Sequence, residues 1–121
     1  MAVKQRILIV DDDPSIQDVL DQLLTDEGYQ VVTVADGVAA FAVLPQYQPH
    51  LLIVDLWMAG LSGPAFVQRY QQQPPPHAQV VVFSAAQDGA RIAADLGAAF
   101  VAKPTQLDAL IAVVAQQLRS A

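Results

Sequence analysis

The chain contains no cysteine, which excludes disulfide bonds, thiolate metal sites and thiol catalysis. Basic residues are also scarce: six stand against twelve acidic residues, so the net charge is −6. That balance argues against direct binding of nucleic acid by this chain. Apolar runs are only strand-sized, far short of the roughly 20 residues that a membrane-spanning helix needs. The N-terminal segment carries no signal-peptide pattern, so we expect a cytoplasmic location and no membrane partner.

Hydrophobic residues make up 54% of the 121 residues, which excludes a disordered chain. A fold of this length removes roughly two-thirds of its unfolded surface from water, enough for one core. We therefore expect a single domain over residues 1–121.

Short apolar runs rich in β-branched residues recur along the chain. They are continuous rather than alternating, which is typical of strands buried on both faces. The predicted strands are Ile7–Val10, Val31–Val34, Leu51–Val54, Val80–Phe83 and a weaker Ala99–Ala102. The predicted helices between and after them are Pro14–Glu27, Gly37–Leu44, Gly63–Gln72, Gly89–Leu96 and Leu107–Arg119. Strands joined by helices run parallel, so the pattern predicts an α/β fold: a five-stranded, doubly wound (βα)5 sheet with helices on both faces.

Local signals support these boundaries. Pro14 suits the first turn of a helix, and Gly28 and Gly97 suit the position just after one. Thr105 with Asp108 resembles an N-terminal cap. The first helix is predicted to turn one apolar stripe toward the sheet, formed by Ile16, Val19, Leu20, Leu23 and Leu24.

Polar residues follow the predicted strands at their carboxyl ends, where open parallel sheets bind ligands. These residues are Asp11, Asp12 and Asp13, then Asp36, Asp55, Ser84 and Lys103. A lysine and a hydroxyl therefore face several carboxylates.

The run of three aspartates exceeds what helix capping requires. Asp13, directly before Pro14, fits an N-cap, but one cap leaves Asp11 and Asp12 unexplained. With Asp55 nearby, two carboxylates about 4 Å apart repel by roughly 4 kcal/mol at an effective dielectric of 20. Such a cluster of oxygen ligands favours a divalent cation, Mg²⁺ or Mn²⁺.

Asp55 follows a rigid apolar strand and precedes a loop with little polarity. An aspartate beside a metal and a lysine can act as a nucleophile toward phosphorus. Lys103 could be a surface lysine, but it ends a strand on the same side as the acids. Metal and ammonium would stabilise charge on the phosphoryl oxygens.

Four ordered motifs spanning nearly the whole chain resemble the receiver domain of two-component response regulators. They are Ile7–Pro14, Leu52–Gly63, Val82–Ala85 and Gly97–Pro104. The resemblance implies the strand order 2-1-3-4-5 of flavodoxin-like folds. It also implies a phosphorylation-dependent switch rather than an enzyme acting on an external substrate.

The resemblance assigns roles to individual residues. Asp55 becomes the phosphoacceptor, and a phosphohistidine of a histidine kinase or histidine phosphotransfer protein donates the phosphoryl group. Asp11, Asp12, Asp55 and the backbone carbonyl of Trp57 become the ligands of Mg²⁺.

Two further residues contact the phosphoryl group by the same resemblance, namely Ser84 and Lys103. Phe100 becomes the aromatic side chain whose rotation reports phosphorylation to a downstream protein partner or fused output domain. The interval from Ser84 to Lys103 is shorter than the family usually has, which predicts a short fourth helix. We therefore expect a monomer that captures a partner.

Three other functions share parts of this pattern. A flavodoxin-like FMN protein would not place three aspartates in its phosphate loop. A haloacid-dehalogenase-type phosphatase would have an acid two residues after its nucleophile, where this chain has Trp57. A pseudo-receiver that only binds proteins remains open, although it would be expected to lack one of the acids or the lysine.

Overall fold

The computed structural model describes residues 4–58, 60–103 and 107–119 and contains five strands and five helices in strict alternation. The strands are β1 (Arg6–Val10), β2 (Gln30–Val34), β3 (Leu51–Val54), β4 (Gln79–Ser84) and β5 (Ala99–Ala102). The helices are α1 (Pro14–Asp26), α2 (Gly37–Tyr47), α3 (Gly63–Gln71), α4 (Gly89–Asp95) and α5 (Leu107–Arg119). The strand order is β2-β1-β3-β4-β5 and every pairing is parallel, which confirms the predicted fold.

The central strands are buried on both faces. In β1, Ile7 and Ile9 join a core beneath α1 and α5, whereas Leu8 and Val10 join a core beneath α2 and α3. A third cluster beneath α4 contains Val82 and Ala93. Since both of their faces are covered, β1, β3 and β4 have no solvent face, which explains their unbroken apolar runs, whereas the edge strand β2 is only half-buried from Val31 to Val34.

The predicted helix boundaries are largely confirmed. The Asp13 carboxylate accepts a hydrogen bond from the Ser15 N–H at 2.9 Å and caps α1. Gly28 and Gly97 follow α1 and α4 with φ of +96° and +70°, a conformation in which a side chain would be strained. α4 has seven residues, as short as expected. Thr105, the predicted cap of α5, lies outside the described residues.

The prediction that Val19 faces the sheet is wrong, because its side chain is 45% exposed. Successive helical residues turn by about 100°, which places Val19 at the edge of the stripe centred on Leu20 and Leu24. Those two leucines are the members of the stripe that are fully buried.

Helix α2 runs three residues beyond its predicted end at Leu44 and includes Pro45. Tertiary contacts hold this last turn. The Arg6 guanidinium donates to the carbonyl oxygens of Tyr47 and Gln48 at 2.8–3.0 Å, and the Tyr47 hydroxyl lies 3.0 Å from the carbonyl oxygen of Ile7. The bonds from Arg6 satisfy carbonyls that a helix end otherwise leaves unpaired, and the bond from Tyr47 ties the helix end to β1.

Candidate functional site

Strand pairing aligns the carboxyl ends of β1 and β3. The Asp55 N–H donates to the carbonyl oxygen of Val10 at 3.0 Å, and the Asp11 N–H donates to that of Val34 at 3.1 Å. The backbone of both aspartates is therefore fixed by the sheet. Because neighbouring parallel strands end at the same edge, their carboxylates come together.

Three carboxylates form a cluster at this edge. Asp11, Asp12 and Asp55 each offer an oxygen that lies within 4.8 Å of the other two. Asp11 is buried, Asp55 is half-buried and Asp12 is exposed. A donor set made only of oxygen atoms, with one side open to solvent, fits Mg²⁺ or Mn²⁺, which keep several waters.

Lys103 joins the cluster from the end of β5. Its Nζ lies 2.7 Å from Asp11 Oδ2 and 3.2 Å from Asp55 Oδ2. Its side chain is only 15% exposed and its ammonium lies 5.3 Å from the centre of the Phe83 ring. The alternative of a surface lysine is therefore wrong: Lys103 bridges two carboxylates.

The ionisation of this pair follows from burial and contact. Burial raises the pKa of the Asp11 carboxyl above its ordinary value, although hydrogen bonds from Lys103 and the Asp13 amide oppose that rise. Burial would lower the pKa of Lys103, but Asp11 and Asp55 together outweigh it and hold that pKa above its ordinary value. Lys103 therefore carries its positive charge at neutral pH.

Ser84 ends β4 and is fully buried. Its Oγ accepts a hydrogen bond from the Ala86 N–H at 3.3 Å. Since a hydroxyl can donate as well as accept, the hydrogen of Ser84 can be given to a new acceptor.

Phe100 lies in β5 beside Ser84's strand, paired with Val82. Its ring is half-buried and packs against the cluster beneath α4. A Cβ at Gly89, the first residue of α4, would lie 2.6 Å from the ring's Cε1. The ring therefore occupies space that only a glycine leaves open.

Trp57 stands two residues after Asp55 and is 63% exposed. Its backbone N–H donates to Asp55 Oδ1 at 3.2 Å. The backbone of this residue therefore belongs to the site, while its indole faces solvent beside the site.

Replacing Trp57 with serine is expected to shorten the lifetime of a phosphoryl group on Asp55, because the indole would hinder in-line attack by water. An effect of about threefold corresponds to roughly 0.7 kcal/mol in activation free energy. The decay is followed by intact mass after removal of the phosphodonor. Trp57→Phe, which keeps an aromatic ring, is the control; a lifetime that serine leaves unchanged or lengthens would reject shielding.

Sequence reasoning missed three residues that shape the site. The Gln17 amide donates to the carbonyl oxygen of Asp11 at 2.6 Å. Gly63 and Gly89, which the sequence marks only as helix starts, leave no room for a side chain, because a Cβ there would collide with the Asp55 backbone and with the Phe100 ring, respectively. For the two glycines, the sequence signal was a glycine in the first turn of a predicted helix, because glycine is a poor helix former and its presence there suggests a packing requirement.

Two other features lie apart from the cluster. Asp36, at the end of β2, accepts a hydrogen bond from the Ala39 N–H at 2.7 Å and caps α2. A cavity of about 570 Å³ lies at the opposite edge of the sheet, beside Arg6 and His50, where the strands begin. The converging charges, and not this cavity, mark the candidate site.

Comparisons with known proteins show what this chain is similar to in sequence and fold. The model of the response regulator receiver domain matches residues 7–115. The signal receiver domain of a signal transduction histidine kinase from Syntrophus aciditrophicus is 28% identical, with a TM-score of 0.86 over 96% of this chain and 91% of that one. NtrX from Brucella abortus, in complex with ADP, is 32% identical, with a TM-score of 0.89 over 98% of this chain and 28% of NtrX.

Curated relatives match over a shorter region. The DNA-binding response regulator MtrA of Mycolicibacterium smegmatis is 38% identical over 61 residues, which are 50% of this chain and 27% of MtrA. The alignments span 27–29% of the length of such relatives.

The chain belongs to the response regulator receiver domain family. Receiver domains are signalling domains of two-component systems rather than enzymes that turn over an external substrate, and they generally bind Mg²⁺ at an acidic pocket. Within the described ranges, no helix has both the length and the apolar character to cross a membrane.

Proposed function

We propose that residues 1–121 form a single receiver domain that accepts a phosphoryl group on Asp55. The donor is a phosphohistidine of a histidine kinase or histidine phosphotransfer protein. The observation that carries this proposal is the position of Lys103 Nζ, 2.7 Å from Asp11 and 3.2 Å from Asp55, beside a cluster of three carboxylates. Asp11, Asp12, Asp55 and the Trp57 carbonyl are the proposed metal ligands.

The transfer is a displacement at phosphorus. An Asp55 carboxylate oxygen attacks the phosphorus, a new O–P bond forms and the N–P bond to the donor imidazole breaks. The electron pair of that bond leaves with the imidazole nitrogen, which takes a proton from water. Lys103 places positive charge beside the phosphoryl oxygens. A bound Mg²⁺ or Mn²⁺ would add further positive charge beside the same oxygens.

Ser84 and Phe100 form the proposed output path. The phosphoryl group adds acceptor oxygens, and the Ser84 hydroxyl can donate to one of them in a charge-assisted hydrogen bond. Movement of Ser84 would free space beside β4, into which the neighbouring Phe100 ring turns. The surface formed by α4, β5 and α5 then changes shape.

That surface is proposed to control a downstream protein partner or a fused output domain, with this chain itself a monomer in the cytoplasm. The net charge of −6 gives the domain no attraction for nucleic acid. MtrA is named a DNA-binding regulator; in a longer form of the present protein, contact with DNA would fall to a fused output domain.

The response of Phe100 is testable by NMR with a phosphoryl mimic. We expect the Phe100 side-chain resonances to shift when the mimic binds and the sedimentation coefficient to stay that of a monomer. Gly89→Ala should shift the same resonances without the mimic, because the new methyl group displaces the ring. Resonances that do not respond to the mimic would refute the output path, and a tight mimic-dependent dimer would refute the proposed monomer.

The function itself is tested by intact-mass measurement after incubation with acetyl phosphate and Mg²⁺. The expected result is the addition of one phosphoryl group in the presence of Mg²⁺ and no addition when a chelator is in excess. A chain that gains no phosphoryl group would instead support a pseudo-receiver that only binds proteins.

A further inference from the structure

Gly63 begins α3 and is buried against the backbone of the proposed phosphoacceptor. A Cβ at this position would lie 2.2 Å from the carbonyl oxygen of Asp55 and 2.7 Å from the Cα of Leu56. Both atoms belong to the main chain, so neither can rotate away as the end of a side chain could. We propose that Gly63 is a positioning residue: its missing side chain lets α3 hold Asp55 where the phosphoryl transfer requires it.

The segment Asp55–Leu56 is held from two sides. On one side, the Asp55 N–H donates to the carbonyl oxygen of Val10 in β1 at 3.0 Å. On the other, the Gly63 N–H donates to the carbonyl oxygen of Leu56 at 3.2 Å. The end of β3 is therefore clamped between the sheet and the first turn of α3.

The requirement at Gly63 is space and not backbone conformation. The φ of Gly63 is not in the left-handed region, so alanine could adopt the same backbone conformation. Alanine is also a better helix former than glycine. Helix propensity alone therefore predicts a harmless or stabilising Gly63→Ala substitution. The contact with Asp55 predicts a displaced phosphoacceptor, so the two explanations give opposite results.

Gly60 provides a matched control in the same loop. Its φ is +75°, but nothing lies within 4 Å of a Cβ built there. Gly60→Ala therefore strains the loop without pushing on Asp55. A defect that follows from loop strain appears in Gly60→Ala, whereas a defect that follows from contact with Asp55 appears in Gly63→Ala alone.

A displacement of Asp55 would alter two contacts of its carboxylate. Asp55 Oδ2 lies 3.2 Å from Lys103 Nζ, and Asp55 Oδ1 accepts the Trp57 N–H at 3.2 Å. Since a misplacement of about 1 Å can cost on the order of a hundredfold in rate, we expect Gly63→Ala to slow labelling by about tenfold or more.

The inference rests on the proposed function, and its test compares wild type, Gly63→Ala and Gly60→Ala. Initial rates of labelling by acetyl phosphate with Mg²⁺ are measured by intact mass, well below each variant's melting temperature. Amide hydrogen exchange of Asp55 is measured without metal. We expect slow labelling and faster exchange in Gly63→Ala only, with Gly60→Ala within about twofold of wild type.

The outcomes separate the two proposals. If wild type is not labelled, the proposed function fails. If wild type is labelled and folded Gly63→Ala matches its rate, even with a lower melting temperature, Gly63 has a structural role and the positioning inference fails.

A second variant covers the case in which Gly63→Ala does not fold. Ser62→Ala keeps the glycine but removes the Oγ that accepts the Ala65 N–H at 3.3 Å and caps α3. Loosening this first turn should slow labelling severalfold and speed Asp55 exchange. Wild-type behaviour of folded Ser62→Ala would then overturn the inference.

Discussion

Asp55→Asn is expected to lower phosphoryl labelling by about a hundredfold or more, because an amide lacks the nucleophilic oxygen of a carboxylate. The substitution keeps the shape of the side chain, and the backbone N–H of residue 55 can still donate to the carbonyl oxygen of Val10. The fold should therefore persist. Intact mass after incubation with acetyl phosphate and Mg²⁺ measures the loss, and circular dichroism verifies the fold.

Asp36→Asn is the matched control for this change. Asp36 also follows a strand at the same edge of the sheet, yet its carboxylate caps α2 through the Ala39 N–H, a role that asparagine can fill. Its labelling should equal that of wild type. Equal labelling of Asp55→Asn and wild type would move the phosphoacceptor elsewhere, and full labelling in excess chelator would reject the metal requirement.

The sequence predicts the architecture well where local and tertiary preferences agree. The continuous apolar run ending at Val10 and the glycine at position 28 mark a buried strand and a helix end, and both are observed. The end of α2 was missed because tertiary bonds from Arg6 decide it. No local pattern around Pro45 contains that information.

The candidate site was predicted in the same uneven way. Asp11, Asp55 and Lys103 are predicted to lie together because parallel strands end at one edge, and the structure places Lys103 Nζ 2.7 Å from Asp11 Oδ2 and 3.2 Å from Asp55 Oδ2. The roles of Gly63 and Gly89 were not predicted. Both glycines matter because there is no room for a side chain at their positions. That lack of room comes from tertiary packing and cannot be inferred from the residues next to them in the sequence.

The largest expected effect on stability is that of Mg²⁺. A ligand that binds only the folded state stabilises it by about 2.7 kcal/mol at one hundred times its dissociation constant. For a domain of this size that corresponds to a rise of about 10 °C in the melting temperature. Asp12→Ala should remove most of this rise, because it takes one carboxylate from the cluster of three.

Asp12 is a better choice than Asp11 for this test. Asp11 is buried and paired with Lys103, so its removal would strip a buried ammonium of its nearest partner and destabilise the fold with or without metal. Asp12 is exposed. Its loss should leave the metal-free domain as stable as wild type or more so, because repulsion among the carboxylates falls.

Thermal melts at increasing Mg²⁺ concentration measure the difference, with Asp13→Asn as the control. Asp13 adjoins the cluster but caps α1 through the Ser15 N–H, and asparagine caps equally well. Its response to Mg²⁺ should equal that of wild type. An undiminished response in Asp12→Ala would remove Asp12 from the metal site and argue against the three-carboxylate site proposed above.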